Sequence, residues 1–143
     1  YGEGDDFDPV KSHVVAALIR KAHIAKTTNS PELVMWGTGT ARRELMYVND
    51  LADACYYMLN QDISDQFINL GTGSDVSMSE LIDIVCSVVG YEGKIVYDTT
   101  KPDGMPQKLM DVSKARELGW TYKTELIDGV KKTYEWYLKT IVK

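Results

Sequence analysis

The run Trp36-Gly37-Thr38-Gly39-Thr40-Ala41-Arg42-Arg43-Glu44 gathers the ingredients of a nucleotide contact. Its two glycines let a backbone turn come close to a ligand. Trp36 offers a flat face for a ring, and the guanidinium forks of two arginines suit phosphate oxygens. Read from spacing alone, a hairpin turn with solvated charges fits slightly better. A second stretch, Lys101-Pro102-Asp103-Gly104-Met105-Pro106-Gln107-Lys108, joins rigid turns to two lysines. It is either an ordinary surface loop or a means of presenting Asp103 to a sugar or ribose hydroxyl and Lys108 to a phosphate. His13 stands where a helix begins. An imidazole at a positive helix end is a candidate for proton transfer, although a lone histidine is more often a surface or capping residue. His23, further along the same helix, reads as an ordinary helical residue. Gly71-Thr72-Gly73 lies between a strand and a helix, the position of a phosphate-binding turn. The third glycine of the dinucleotide fingerprint is missing across Ser74 to Met78, so a structural turn is expected.

The whole sequence bounds what these residues can do. With 143 residues, 44% hydrophobic and 26% charged, the chain suits one compact domain with a packed core. A net charge of -5 argues against a general nucleic-acid binder. Cys55 and Cys86 are far apart, lack metal-ligand spacing and sit in apolar helical patterns; buried free thiols in a reducing compartment are expected, and no metal. No apolar run is long enough to span a membrane and no signal peptide is visible. The polar, glycine-containing start without a methionine reads as the middle of a longer protein.

The elements that must position these residues alternate between helix and strand, which predicts an α/β fold. Ser12 is expected to cap a helix over His13 to about Lys26, with Val14, Ala17, Leu18 and Ala22 at helical spacing. Strands are expected at Leu33–Trp36, Glu44–Val48, Phe67–Leu70 and Lys94–Tyr97. A helix capped by Asn49 has Leu51, Ala52, Cys55, Tyr56 and Leu59 on one side. Ser77 and Glu80 make a capping-box pattern for a helix that Gly90 ends. Ser113 caps a short helix that stops at Gly119-Trp120. An amphipathic helix over Glu125 to Lys139 closes the sequence.

Four segments together resemble a known family: Ser12 to Lys21 with its His13-Val14-Val15 start, Val34 to Thr40 followed by Arg43-Glu44, Asn69 to Gly73, and Lys101-Pro102-Asp103-Gly104. In order and spacing they look like the C-terminal part of the GDP-L-fucose synthases, which are extended short-chain dehydrogenases/reductases. The resemblance implies a fold, an α/β substrate-binding lobe together with the last strand or strands of a Rossmann sheet, and one region spanning 1–143 whose NADP-binding Rossmann part lies outside the chain. It implies an activity as well: epimerisation of GDP-4-keto-6-deoxy-D-mannose at C3 and C5, then reduction of the C4 ketone with NADPH. His13 takes the place of the family's histidine, which shares acid-base work with a cysteine upstream and lies against the cofactor. Lys21 and Arg43 pair with the diphosphate, Trp36 packs against the nucleotide, Asp103 takes a hydroxyl or base edge, and Lys108 adds positive charge. The reducing Ser, Tyr and Lys, including a Tyr-x-x-x-Lys pair, are expected upstream of this chain. A cytoplasmic homodimer is implied for the full-length enzyme. Ala16 stands where many relatives carry proline, and Met105 and Gln107 stand for Thr and often Arg.

Overall fold

The structure, a computed structural model, describes residues 1–63 and 67–142. Its elements in chain order are α1 (Val14–Thr27), β1 (Glu32–Trp36), β2 (Arg42–Arg43), α2 (Val48–Met58), β3 (Val76–Ser77), α3 (Met78–Val89), β4 (Lys94–Asp98), β5 (Gln107–Lys108), α4 (Ser113–Glu117) and α5 (Leu126–Thr140). The expected α/β class is what forms. β1 and β4 run parallel, with Glu32 opposite Lys94 and Trp36 opposite Asp98. A second, three-stranded sheet has the order β3-β2-β5, in which β2 is antiparallel to β3 and parallel to β5.

The core lies where α1, α3 and α5 meet. Ile19, Leu81, Ile82, Val15, Val85, Val89 and Val130 are almost wholly buried, and each such side chain contributes about 1.5–3 kcal/mol relative to exposure. α3 is well specified at both ends. The Ser77 hydroxyl accepts from the Glu80 amide, the Glu80 carboxylate accepts from the Ser77 amide, and Gly90 ends the helix at φ 74°. The next free amides, of Met78 and Ser79, donate to the carbonyls of Ala41 and Gly39. The start of α3 is thereby sewn to the glycine turn after β1.

α2 is built the other way round. Val48, Leu51, Ala52, Cys55, Tyr56 and Leu59 form one helical stripe, and all six are exposed, with Tyr56 at 73% and Leu59 at 83%. The opposite side mixes buried Asp50 and half-buried Asp53 with Ala54, Tyr57 and Met58. Buried Asp50 accepts from the amides of Lys123 and Thr124 and from the Thr124 hydroxyl, and Asp53 accepts from the Trp120 indole and the Lys123 ammonium. A small cluster of Ala54, Ala115 and Trp120 sits beneath. Cys55 is therefore exposed, not buried as expected, because it belongs to the outward stripe; Cys86 is buried, which pushes its thiol up to about 11.

Four local expectations are corrected. His13, not Ser12, is the residue before the first turn of α1, and its side chain makes no capping bond. Glu44–Val48 forms no strand: only Arg42–Arg43 pair, and the chain turns into α2 at Tyr47, one residue before Val48 and two before Asn49. Phe67–Leu70 joins no ladder among the described residues, and Phe67 is 74% exposed; apolar, β-favouring residues need a neighbouring strand, and none is present there. Ser113 is the first residue of α4, its amide donating to the Asp111 carboxylate.

Candidate functional site

Burial alternates along Leu33 to Thr40, so Leu33, Met35, Gly37 and Gly39 face in while Val34, Trp36 and Thr38 face out. This alternation, continuing from β1, turns the Trp36 ring to the surface. Lys21, on the outer face of α1, places its ammonium 5.4 Å from the ring centroid, and Lys101 places its own at 5.8 Å. Lys21 also donates to the Val34 carbonyl at 3.5 Å. The turn that follows needs its glycines. Gly37 has φ 81°, and a Cβ there would fall on the Asp103 carboxylate; Gly39 has φ 82°, and its Cβ would strike the Tyr97 ring.

Asp103 latches the second loop to this turn. Its carboxylate accepts from the Thr38 amide at 2.6 Å and from the Thr38 hydroxyl at 2.8 Å. These bonds hold the carboxyl below the ordinary aspartate range, so it is ionised at neutral pH. Both oxygens of Asp103 are thus engaged with Thr38, each by one bond.

The two arginines, equivalent in sequence, separate in the fold. Arg42 binds Asp75 at 2.7 Å and approaches Glu80 at 3.6 Å. Among the described residues Arg43 donates only to neutral carbonyls, those of Arg42 and Met105, each at 2.7 Å. Lys108 lies opposite Arg43 in the β2–β5 register. Among the described residues none of Lys21, Arg43, Lys101 and Lys108 stands in an ion pair. Lys21 and Lys101 thus flank the open Trp36 indole, while Arg43 and Lys108 lie side by side in β2 and β5.

Of the residues singled out in the sequence, Lys21 meets Trp36, Asp103 binds Thr38 two residues on, and Arg43 lies beside Lys108 in the β2–β5 register. His13 stands apart. It lines a separate cavity of about 330 Å³ with Tyr1, Glu3, Asp5, Leu45 and Val48. Leu45 also walls a smaller cavity, about 140 Å³, lined by Arg43, Thr72, Ser74 and Tyr122, so the two cavities adjoin through one side chain. Glu3 of the first cavity's lining accepts from the Tyr47 hydroxyl, whose oxygen lies 2.6 Å from each carboxylate oxygen. Gly71-Thr72-Gly73 serves as a structural turn: the Glu44 carboxylate accepts from the Gly73 and Met110 amides at 2.8 Å, which leaves those donors closed to a phosphate.

Lys101, Thr38 and the acidic wall of Glu3 and Asp5 were not picked out in the sequence. Lys101 alone had a visible signal, its place at the head of the Pro-Asp-Gly loop. A Tyr-x-x-x-Lys spacing does occur, contrary to expectation, at Tyr97 and Lys101. The structure puts Tyr97 in β4 against Gly39 and Lys101 in the loop beyond, over Trp36. The pair does not share a helical face. Among the described residues no group of three or more His, Cys, Asp or Glu could hold a metal ion, and no helix is long and apolar enough to cross a membrane.

Residues 1–71 match the NAD dependent epimerase/dehydratase family. A putative GDP-L-fucose synthase 2 of Arabidopsis thaliana is 51% identical over 142 residues, covering 99% of this chain and 43% of that protein. A solved GDP-mannoheptose C4 reductase from Campylobacter jejuni, with NADP bound, is 37% identical, with a TM-score of 0.82 over 96% of this chain and 50% of that one. A GDP-L-fucose synthetase from Naegleria fowleri has a TM-score of 0.92 at 24% identity, covering 100% of this chain and 44% of that one, a likeness of fold. The chain spans a little under half the length of the curated relatives it matches. By sequence it is a homologue of GDP-L-fucose synthases, and by fold it matches the C-terminal part of extended short-chain dehydrogenases and epimerases.

Proposed function

We propose that this chain is the substrate-binding region of a GDP-L-fucose synthase, an enzyme that epimerises GDP-4-keto-6-deoxy-D-mannose at C3 and C5 and reduces C4 with NADPH. One observation carries it: Lys21 and Lys101 flank the exposed ring of Trp36, the loop from Lys101 leads to Lys108 beside Arg43, and none of the four stands in an ion pair among the described residues. A diphosphate joined to a flat base asks for this combination, and each charge-assisted contact contributes about 1.5–3 kcal/mol. Trp36 stacks on the nucleotide, Lys21 and Arg43 take the diphosphate, Lys108 adds charge, and Asp103 holds the turn while offering its remaining lone pairs to a ligand hydroxyl.

His13 serves as one of the two acid-base groups for epimerisation, moving a proton at C3 or C5 beside the ketone. It also lies against the cofactor. When bound, NADP(H) supplies the hydride for C4. The acidic lining of the His13 cavity fits the nicotinamide end of that cofactor and not its phosphates, which like charges on Glu3 and Asp5 would repel. The phosphates therefore belong to a Rossmann part outside residues 1–143. The outward stripe of α2 supports such a partition, since it offers that part an apolar face. A cytoplasmic homodimer is proposed for the whole enzyme; the free thiols suit a reducing compartment, and sedimentation of the assembled enzyme tests the dimer.

Calorimetric titration with GDP-, UDP- and dTDP-sugars tests the substrate. Tighter binding of GDP ligands is expected, and preference for UDP would overturn the assignment. A GDP-sugar C4 reductase without epimerase activity is the second possibility, favoured by the likeness to the Campylobacter enzyme. Deuterium uptake at C3 and C5 separates the two. In the assembled enzyme, His13→Ala should abolish that uptake and leave GDP binding unchanged.

A further inference from the structure

Beneath the phosphate-binding cations lies a polar clamp. Asp75 immediately precedes β3, and its side chain is only 8% exposed. One carboxylate oxygen accepts from Arg42 Nε at 2.7 Å, the other from Gln107 Nε2 at 2.5 Å, and the Asp75 carbonyl accepts from Arg42 Nη2 at 3.0 Å. Arg42 and Gln107 are register partners in β2 and β5, and the next pair along is Arg43 and Lys108. Strand alternation sends successive side chains to opposite faces. The face that carries Arg42 and Gln107 is fixed by Asp75; the other carries the two free cations.

We propose that Asp75 is a positioning residue for the diphosphate: by clamping Arg42 and Gln107 it sets the spacing and direction of Arg43 and Lys108 on the opposite face. β2 and β5 are two residues each, and so short a ladder is marginal by its backbone bonds alone. The clamp spans both strands with a charge-assisted contact to Arg42 and another to Gln107, and these hold the Asp75 carboxyl below the ordinary aspartate range. Glu80, 3.6 Å from Arg42, fastens the same guanidinium to the first turn of α3. Arg42 thus carries no free charge to a ligand; it transmits the position of α3 and β3 to its neighbour. This role rests on the proposed nucleotide-sugar function.

The test compares GDP with guanosine by calorimetry, using this chain and its Asp75→Asn and Gln107→Met variants. Asp75→Asn should weaken GDP by about tenfold and leave guanosine unchanged, because only the phosphate contacts lose their geometry. Gln107→Met alters an exposed residue and should weaken GDP by about threefold, again sparing guanosine; it decides the matter if Asp75→Asn fails to fold. Equal loss for both ligands, or no loss of GDP in a folded variant, would overturn the positioning role. A parent chain that does not prefer GDP to guanosine would instead overturn the nucleotide-sugar function, and the role of Asp75 with it.

Discussion

α3 and α2 carry the same kind of apolar periodicity and use it in opposite directions. In α3 the stripe of Leu81, Ile82, Val85, Cys86 and Val89 is buried against α1 and α5. In α2 the stripe from Val48 to Leu59 looks outward, and the inward side is held by the carboxylates of Asp50 and Asp53. Periodicity therefore defines a face without saying what covers it. Where the apolar stripe stays uncovered among the described residues, hydrogen bonds to backbone amides and an indole, together with the small cluster at Ala54, hold the helix instead.

The contrast can be broken most forcefully in α3. Leu81→Ala should cost about 2–5 kcal/mol of stability in urea unfolding, since the site is wholly buried. Asp50→Ala should cost about 3 kcal/mol, because it strands the amides of Lys123 and Thr124 in a partly buried setting; a loss near zero would mean that α2 is not held by its polar side. Ser77→Ala removes the cap of α3 and should cost about 1 kcal/mol by thermal melting. Leu51→Ala on the outward stripe should change the stability of this chain by no more than about 0.5 kcal/mol. A larger loss would show that the stripe is already covered, for instance by self-association.

A milder effect of pH sharpens the same contrast on the core side. His23 of α1 lies 3.0 Å from the Tyr134 hydroxyl of α5 and edge-on to Tyr137. Burial first, and then Lys26, lower its pKa. The unfolded chain therefore binds a proton more readily than the folded one, and stability should fall as pH drops below about 6.5, the free-histidine value. His23→Phe should flatten that dependence in melts across the range.

Much of this was legible in the sequence where local rules decide. Ser77, Glu80 and Gly90 bound α3 as their types predict, and β1 and β4 follow from short apolar runs bounded by turns. Trp36, Arg43, Asp103 and Lys108 were candidates because each is a charged or aromatic residue near a turn signal, whereas Lys21, inside α1, was named only by the family resemblance. Long-range pairing was not legible. No pattern around Arg42-Arg43 says that Asp75, 33 residues on, takes the first and leaves the second free. Phe67–Leu70 has strand-like residues, yet strand formation depends on a neighbour that local sequence cannot supply. The outward turn of Cys55 has the same origin, since it depends on which face of α2 finds a partner.

Asp103's grip on Thr38 joins the Trp36 turn to the loop bearing Lys101 and Lys108 through contacts of the chain itself. The two walls are tied to each other by the chain's own bonds, so for the proposed nucleotide little chain entropy remains to be lost on capture. Association should accordingly be a single step: in stopped-flow mixing, the observed rate should climb linearly with ligand concentration, with no plateau from a slow closing motion. Asp103→Ala should introduce that plateau, turning a rigid receptor into one that must first assemble itself.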